Sequence, residues 1–264
     1  MMEQIDGSPH DWLEGRGPWL TLIGAKDDAN NHVWARFEEA ESTWAYFHLM
    51  EGIFTTQGLP LSLYSDRHSI FYSPKEPTIE EQLKNITPLT QFGRAMEELG
   101  VTLIPAYSPQ AKGRIENQWK TFQDRLVVEL RLKGVKTLEE ANEFLVKFLE
   151  DYNQRFSVLP KKKEAVFRKA PALSKLDRIL CLKETRVVAK DHTVSFEGLV
   201  LQIPPSKRFR SIARQKVEVL QLKDGSIEIA YKQNIVARFR PEAVTRMVEQ
   251  KNIKTELKRI KKAA

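Results

Sequence analysis

The sequence has almost no cysteine. Cys181 stands alone among 264 residues, which excludes an intramolecular disulfide and a cysteine-based zinc site and fits a reducing cytoplasm. Its neighbours are Leu180 and Leu182, so it reads as a small core residue rather than a nucleophile. Histidine is sparse as well. His10, His32, His48, His68 and His192 are scattered and show no ligand spacing. No apolar run is long enough to span a bilayer, and the opening residues do not read as a signal peptide.

Charge, by contrast, is plentiful. Lys and Arg number 42 against 35 Asp and Glu, a net +7, and a basic excess suits a polyanionic partner such as nucleic acid. With 41% hydrophobic residues the chain can fill the core of one domain of about 150 residues and of a smaller second one.

Patterning divides the chain accordingly. Q-I-D-G-S near the start, Trp19–Ala25 and His32–Phe37 read as three strands of an antiparallel meander, the last two joined by the turn-rich K-D-D-A-N-N. The period then changes. Glu41–Gln57 suits an amphipathic helix with Ser42 as N-cap, and Leu61–Ser65 is a short strand that stops at Asp66. A strand reached through a helix is most simply a parallel neighbour. Ser73–Pro88 carries three prolines and reads as an exposed excursion with about one helical turn. A helix over Leu89–Leu99, closed by Gly100, leads to a strand at Val101–Pro105. Two long helices follow. In the first, Ile115, Trp119, Phe122, Leu126 and Leu130 form one apolar stripe. The second is capped by Thr137 and buries Ala141, Phe144, Leu145, Phe148, Leu149 and Tyr152.

Composition shifts after Tyr152. We expect an α/β domain over 1–155, a linker over 156–175 with Lys161-Lys162-Lys163, a small antiparallel β-barrel over 176–244 and a basic tail over 245–264. The tail reads as a basic helix or a disordered arm.

Three acids stand where elements of the first domain begin or end: Asp6 on the first strand, Asp66 at the tip of the strand after the first helix, and Glu116 in the first turn of the striped helix. If the first strand lies beside the strand ending at Asp66, Asp6 and Asp66 approach across a ladder spacing of about 5 Å. Like charges raise each other's pKa, so three close carboxylates call for cations. All-oxygen ligands suit magnesium or manganese, and two such ions can activate a hydroxyl and stabilise a leaving oxygen on phosphorus. The plain alternative is a turn acid at Asp6 and at Asp66 and an ordinary first-turn acid at Glu116.

Q-I-D-G, L-Y-S-D-R-H-S-I-F and A-Y-S-P-Q-A-K-G-R-I-E-N resemble the three signatures of the DDE transposase and retroviral-type integrase core. The last is the most specific, with Tyr107-Ser108-Pro109-Gln110, Lys112-Gly113 and Glu116-Asn117. The resemblance covers about residues 3–155, and it is to a bacterial insertion-sequence transposase. It implies an RNase H-like mixed five-stranded sheet with flanking helices, followed by the small all-β barrel. It also implies an acid triad, Asp6, Asp66 and Glu116, that binds two Mg2+ or Mn2+ ions and catalyses DNA cleavage and strand transfer. The partners it implies are double-stranded DNA, both transposon ends and target, and further copies of the chain in an oligomer on DNA. The setting it implies is the bacterial cytoplasm, at the nucleoid.

Lys112, Arg114 and Lys120 match the zone beside the family's catalytic Glu that meets DNA; their plain alternative is a solvated helix face. In the second domain Lys207, Arg208, Arg210 and Arg214 surround Phe209, a mixture that fits phosphate contacts plus stacking or else a charged strand surface. The chain departs from the family twice. Forty-nine residues separate Asp66 from Glu116, more than is usual, and the excess fits within Ser73–Pro88. Five residues precede Asp6, so the helix-turn-helix that reads transposon ends is expected in a missing segment or on another reading frame. The competing expectation is a truncated or domesticated core that binds DNA without chemistry.

Overall fold

The computed structural model describes residues 2–75, 77, 79–83, 87–106, 113–160, 167–205, 208–249 and 251. The chain forms two compact units, Met1–Ile179 and Leu180–Ala264.

The first unit is built on a mixed five-stranded sheet of order β3-β2-β1-β4-β5. β1 (Met2–His10), β2 (Leu20–Asp27) and β3 (Val33–Glu38) form the antiparallel meander. The β2–β3 turn is held by side chains that cap backbone donors: Asp27 Oδ1 accepts from Ala29 N and Asn30 Oδ1 from His32 N, each at 2.8 Å. α1 (Thr43–Thr56) starts where Ser42 Oγ accepts from Ala45 N at 3.1 Å. Its crossover returns the chain so that β4 (Ser62–Ser65) lies parallel to β1. The excursion contains α2 (Ile79–Leu83), and α3 (Gln91–Glu98) begins at Thr90, whose Oγ accepts from Gly93 N at 3.0 Å. β5 (Thr102–Pro105) then adds to β4, also parallel.

α4 (Gly113–Leu132) and α5 (Leu138–Phe156) cover one face. The apolar stripe of α4 is buried as its spacing predicts, and it meets Ala141, Leu145 and Phe148 of α5 and Leu20, Leu22 and Phe37 of the sheet in one core. α5 also covers the edge of β3. Asn142 exchanges two hydrogen bonds with the backbone of Phe37, and Asn153 does the same with Val33. Two amides thus stand in for the strand that β3 lacks on that side. Residues 167–175 of the expected linker and 176–177 of the expected barrel pack on this unit: Arg168 and Leu59 exchange backbone hydrogen bonds at 2.8 and 2.9 Å, and α6 (Leu173–Asp177) buries Leu176.

The second unit corrects the expectation of a barrel. β6 (Leu182–Val187), β9 (Lys216–Gln221), β10 (Ile227–Tyr231) and β11 (Asn234–Phe239) form a four-stranded antiparallel sheet of order β11-β10-β9-β6. β7 (Thr193–Phe196) and β8 (Leu199–Gln202) form a separate two-stranded sheet. The sheets do not close into one ring. Between β6 and β7 the chain turns, with His192 at a left-handed φ of 61°, and among the described strands β6 pairs with β9 while β7 pairs with β8. The hairpin instead contributes Val194, Phe196, Leu199 and Leu201 to a core shared with Val217, Val219, Ile227 and Ile229 of the larger sheet. Residues 241–249 are helical. The basic tail expected over 245–264 is helical at 245–249, and most of the rest lies outside the described residues. Cys181 is buried.

Candidate active site

Parallel pairing sets the site. Met2, Glu3 and Gln4 of β1 lie opposite Ser62, Leu63 and Tyr64 of β4. Carried two residues further, this register brings Asp6 level with Asp66, which follows the last residue of β4. Adjacent strands lie about 4.8 Å apart and residues in register share a face. Past Asp66 the chain leaves the sheet, because its Oδ1 accepts from His68 N at 3.0 Å and folds the backbone into a tight turn.

Side chains alternate along β1, and Gln4, Asp6 and Ser8 face α4. They make three rungs. Gln4 Oε1 accepts from Ile115 N at 3.3 Å, Asp6 Oδ2 from Trp119 Nε1 at 3.2 Å, and Ser8 Oγ from Gln123 Nε2 at 3.0 Å. The helix is therefore fixed in register along the strand. Glu116 lies one turn before Trp119, in the first turn of α4, where the helix dipole favours a carboxylate. Its side chain is exposed. Residues 107–112, the Tyr107–Lys112 part of the motif, lie outside the described residues. The observed β1–β4 pairing stops at Gln4 and Tyr64, two residues short of Asp6 and Asp66. Among the described residues no three His, Cys, Asp or Glu side chains stand close enough together to hold a metal ion, so Glu116 does not complete one compact group with them.

Sequence reasoning missed two residues here. Glu41, just before the α1 cap, lies against Gly7: a Cβ on Gly7 would meet Glu41 Cδ at 2.9 Å. Buried Tyr46 donates its phenolic O–H to Glu41 Oε1 at 2.7 Å. The Tyr46 phenol is pushed well above its ordinary pKa, first by burial, then by the charge of and hydrogen bond to Glu41, then by the charges of Asp6 and Asp66. One neutral hydroxyl thus lies within the field of three carboxylates. An acid one position ahead of a helix cap, and a glycine directly after Asp6, were the available signals. Neither specifies a contact.

The basic residues named from sequence fall in both units. Arg114 Nη1 is held by the carboxylate of Asp28 at 2.7 Å and by its carbonyl at 3.1 Å. Nearby Lys26 donates to Gln118 Oε1 at 3.1 Å, and burial, then the charge of Arg114, lower its ammonium pKa while Asp28 opposes them. Lys120 is exposed on α4. In the second unit Arg208, Arg210 and Arg214 are exposed, and the Arg208 guanidinium lies 5.9 Å from the centre of the Phe209 ring. Phe209 packs edge-on against Tyr231 with ring centres 5.0 Å apart. Lys112 and Lys207 lie outside the described residues.

No protein-family model matches the chain. It is 36% identical over 231 residues to a putative transposase, y4bF, of Sinorhizobium fredii (strain NBRC 101917 / NGR234), a match covering 87% of this chain and 50% of that protein. It is 35% identical over 227 residues to the transposase for insertion sequence IS1202 of Streptococcus pneumoniae, covering 85% of this chain and 47% of that one. The chain spans about half the length of the curated relatives it matches. Among solved structures, it is similar to the catalytic core domain of BIV integrase, with a TM-score of 0.35, 18% identity and coverage of 54% of this chain and 78% of that one. A simian T-cell lymphotropic virus intasome in complex with the PP2A regulatory subunit B56 gamma gives a TM-score of 0.45 at 12% identity, covering 91% and 79%. The resemblance to transposases in the sequence motifs is thus matched along most of the chain.

Proposed function

We propose that this chain carries the catalytic core of an insertion-sequence transposase, a DDE-type polynucleotidyl transferase that cleaves DNA at element ends and joins the freed 3′-hydroxyl to target DNA. What supports this most is the parallel pairing of Met2–Gln4 with Ser62–Tyr64, which carried forward would set Asp6 level with Asp66, under a helix whose first turn holds Glu116.

The donors are carboxylate oxygens without sulfur or imidazole, a set that fits magnesium or manganese. Bound by Asp6, Asp66 and Glu116, two such ions would lower the pKa of the attacking water or 3′-hydroxyl and neutralise charge on the leaving oxygen. The chain's own residues do the rest. Trp119 holds the Asp6 carboxylate in one orientation. Glu116 closes the site from the helix end, and Lys112, Arg114 and Lys120 meet the DNA backbone beside it. In the second unit Lys207, Arg208, Arg210 and Arg214 hold phosphates, with Phe209 among them. Joining two ends requires more than one copy, so the active form is an oligomer on DNA.

A second reading, a core that binds DNA without transfer, draws on the fact that among the described residues no three His, Cys, Asp or Glu side chains group closely enough to hold a metal ion. One assay decides between them. The purified chain is incubated with pre-cut DNA ends, a supercoiled target and Mg2+ or Mn2+. Joined product from the wild type, lost in Asp66→Asn with DNA retention intact, is the expected result. Undiminished joining by Asp66→Asn overturns the site assignment, and retention without joining by the wild type favours the binding-only reading.

A further inference from the structure

We propose that a small cavity in the second unit, where β8 ends and Phe209 packs, holds one unpaired nucleobase of the DNA. The inference rests on the proposed phosphate contacts of Arg208, Arg210 and Arg214 in that unit.

Proline opens the cavity. Ile203 N still donates to His192 O at 2.9 Å, but Pro204 and Pro205 have no backbone N–H, and the chain leaves the β7–β8 ladder there. The space measures about 190 Å3. Pockets for drug-sized ligands start at about 300 Å3, so this one suits a single ring system. Its lining is apolar at Ile203 and Ile212, both buried in the core of the unit, and at Val236. Phe209 supplies an aromatic wall and is held edge-on by Tyr231, with ring centres 5.0 Å apart. The polar groups are few and fixed. His192 Nε2 and Ser211 Oγ are hydrogen-bonded at 3.0 Å, and both residues line the cavity. Imidazole and hydroxyl each donate and accept, which suits the polar edge of a base. An apolar lining alone would take any apolar group, and the cations decide between occupants. Arg210 lines the same cavity, and Arg208 and Arg214 are exposed in the same segment. A nucleotide meets both demands, with its base on the aromatic wall and its phosphate on a guanidinium. A paired base is enclosed in the duplex stack, so the one that enters has left it.

The test measures, by fluorescence anisotropy, binding of the full chain to a duplex with a single thymine 3′ overhang and to the same duplex with an abasic overhang. The wild type is expected to bind the thymine overhang about fivefold or more tightly, the effect of stacking one base on an aromatic ring. Ser211→Tyr fills the cavity from an exposed position, and Phe209→Leu removes the ring but keeps an apolar side chain. Each is expected to bind the two duplexes alike, with thermal unfolding run to verify folding. A second measurement needs no variant: iodouracil in the overhang, irradiated in the wild-type complex, is expected to cross-link to Phe209 or His192. A wild type that does not distinguish the two duplexes, discrimination that survives in a folded Ser211→Tyr protein, or cross-links confined to the first unit would each overturn the inference. Arg208→Ala combined with Arg210→Ala separates it from the reading beneath it. If that variant binds both duplexes like the wild type, the phosphate contacts of the second unit fall and the base site falls with them. If it weakens both while the wild type does not distinguish them, the phosphate contacts stand and the base site alone falls.

Discussion

Asp6 and Gly24 face each other across the β1–β2 ladder, and the Trp119 ring fills the space that Gly24 leaves. A Cβ on Gly24 would come within 2.3 Å of Trp119 Cη2, while the indole N–H of the same ring donates to Asp6 at 3.2 Å. One missing side chain on β2 thus lets α4 reach and orient a carboxylate on β1.

Trp119→Phe separates these two roles. Phenylalanine keeps an aromatic ring near Gly24 but cannot donate to Asp6. A net hydrogen bond contributes about 1 kcal/mol, and the smaller ring adds a modest packing loss. Urea unfolding is expected to register a loss of about 1–2 kcal/mol on these two grounds. Strand transfer is expected to fall by about tenfold or more, as for loss of other groups that orient metal ligands. Full transfer in a folded Trp119→Phe protein would show that Asp6 needs no such support.

Glu3 predicts a pH dependence of stability. It is fully buried opposite Asp27, and among the described residues neither of its carboxyl oxygens has a hydrogen-bond partner. Burial, then the charge of Asp27, raises its pKa from 4.5 to about 8. The folded state therefore holds a proton that the unfolded chain releases earlier. The contribution to stability is complete below about pH 4.5 and declines as pH rises through the window to about 8. Asp27, raised chiefly by burial, acts in the same direction. Glu3→Gln keeps this position neutral, so it is expected to be the more stable protein at pH 9, by about 2–4 kcal/mol, with little advantage at pH 5. Denaturant unfolding at the two pH values checks this; equal slopes for both proteins would contradict it.

Arg208 and Arg210 flank Phe209 on the surface of the second unit. If they bind phosphates, replacing both with Ala weakens binding to unrelated duplexes alike. It also lowers the slope of log affinity against log salt by about 0.9 for each phosphate no longer neutralised. Fluorescence anisotropy at several salt concentrations measures that slope. An unchanged slope would assign both arginines to the solvated strand surface.

Much of the frame is legible in the sequence. Period-two and 3.6-residue patterns locate the sheet strands and the long helices because burial on one face leaves a mark on every second or every third and fourth residue. The α1 crossover implies a parallel β1–β4 pair, and the two strands do pair in parallel over Met2–Gln4 and Ser62–Tyr64. What the pattern does not encode is contact between distant backbones. The strands around Val194 and Leu201 are visible in it, but whether they join β6 and β9 in one ring depends on hydrogen bonds that alternation does not specify. Glu41 and Tyr46 escape it for the same reason. Their contact lies in the space above Gly7, and nothing in the spacing of residues 7, 41 and 46 announces it.

The most direct measurement is a crystal structure grown with Mn2+, read by anomalous scattering. A metal-dependent transferase site predicts anomalous peaks between the carboxylates of Asp6 and Asp66, with Glu116 drawn in from the head of α4 to share one of the ions. Manganese bound elsewhere, or peaks absent between Asp6 and Asp66 at saturating Mn2+, would contradict it.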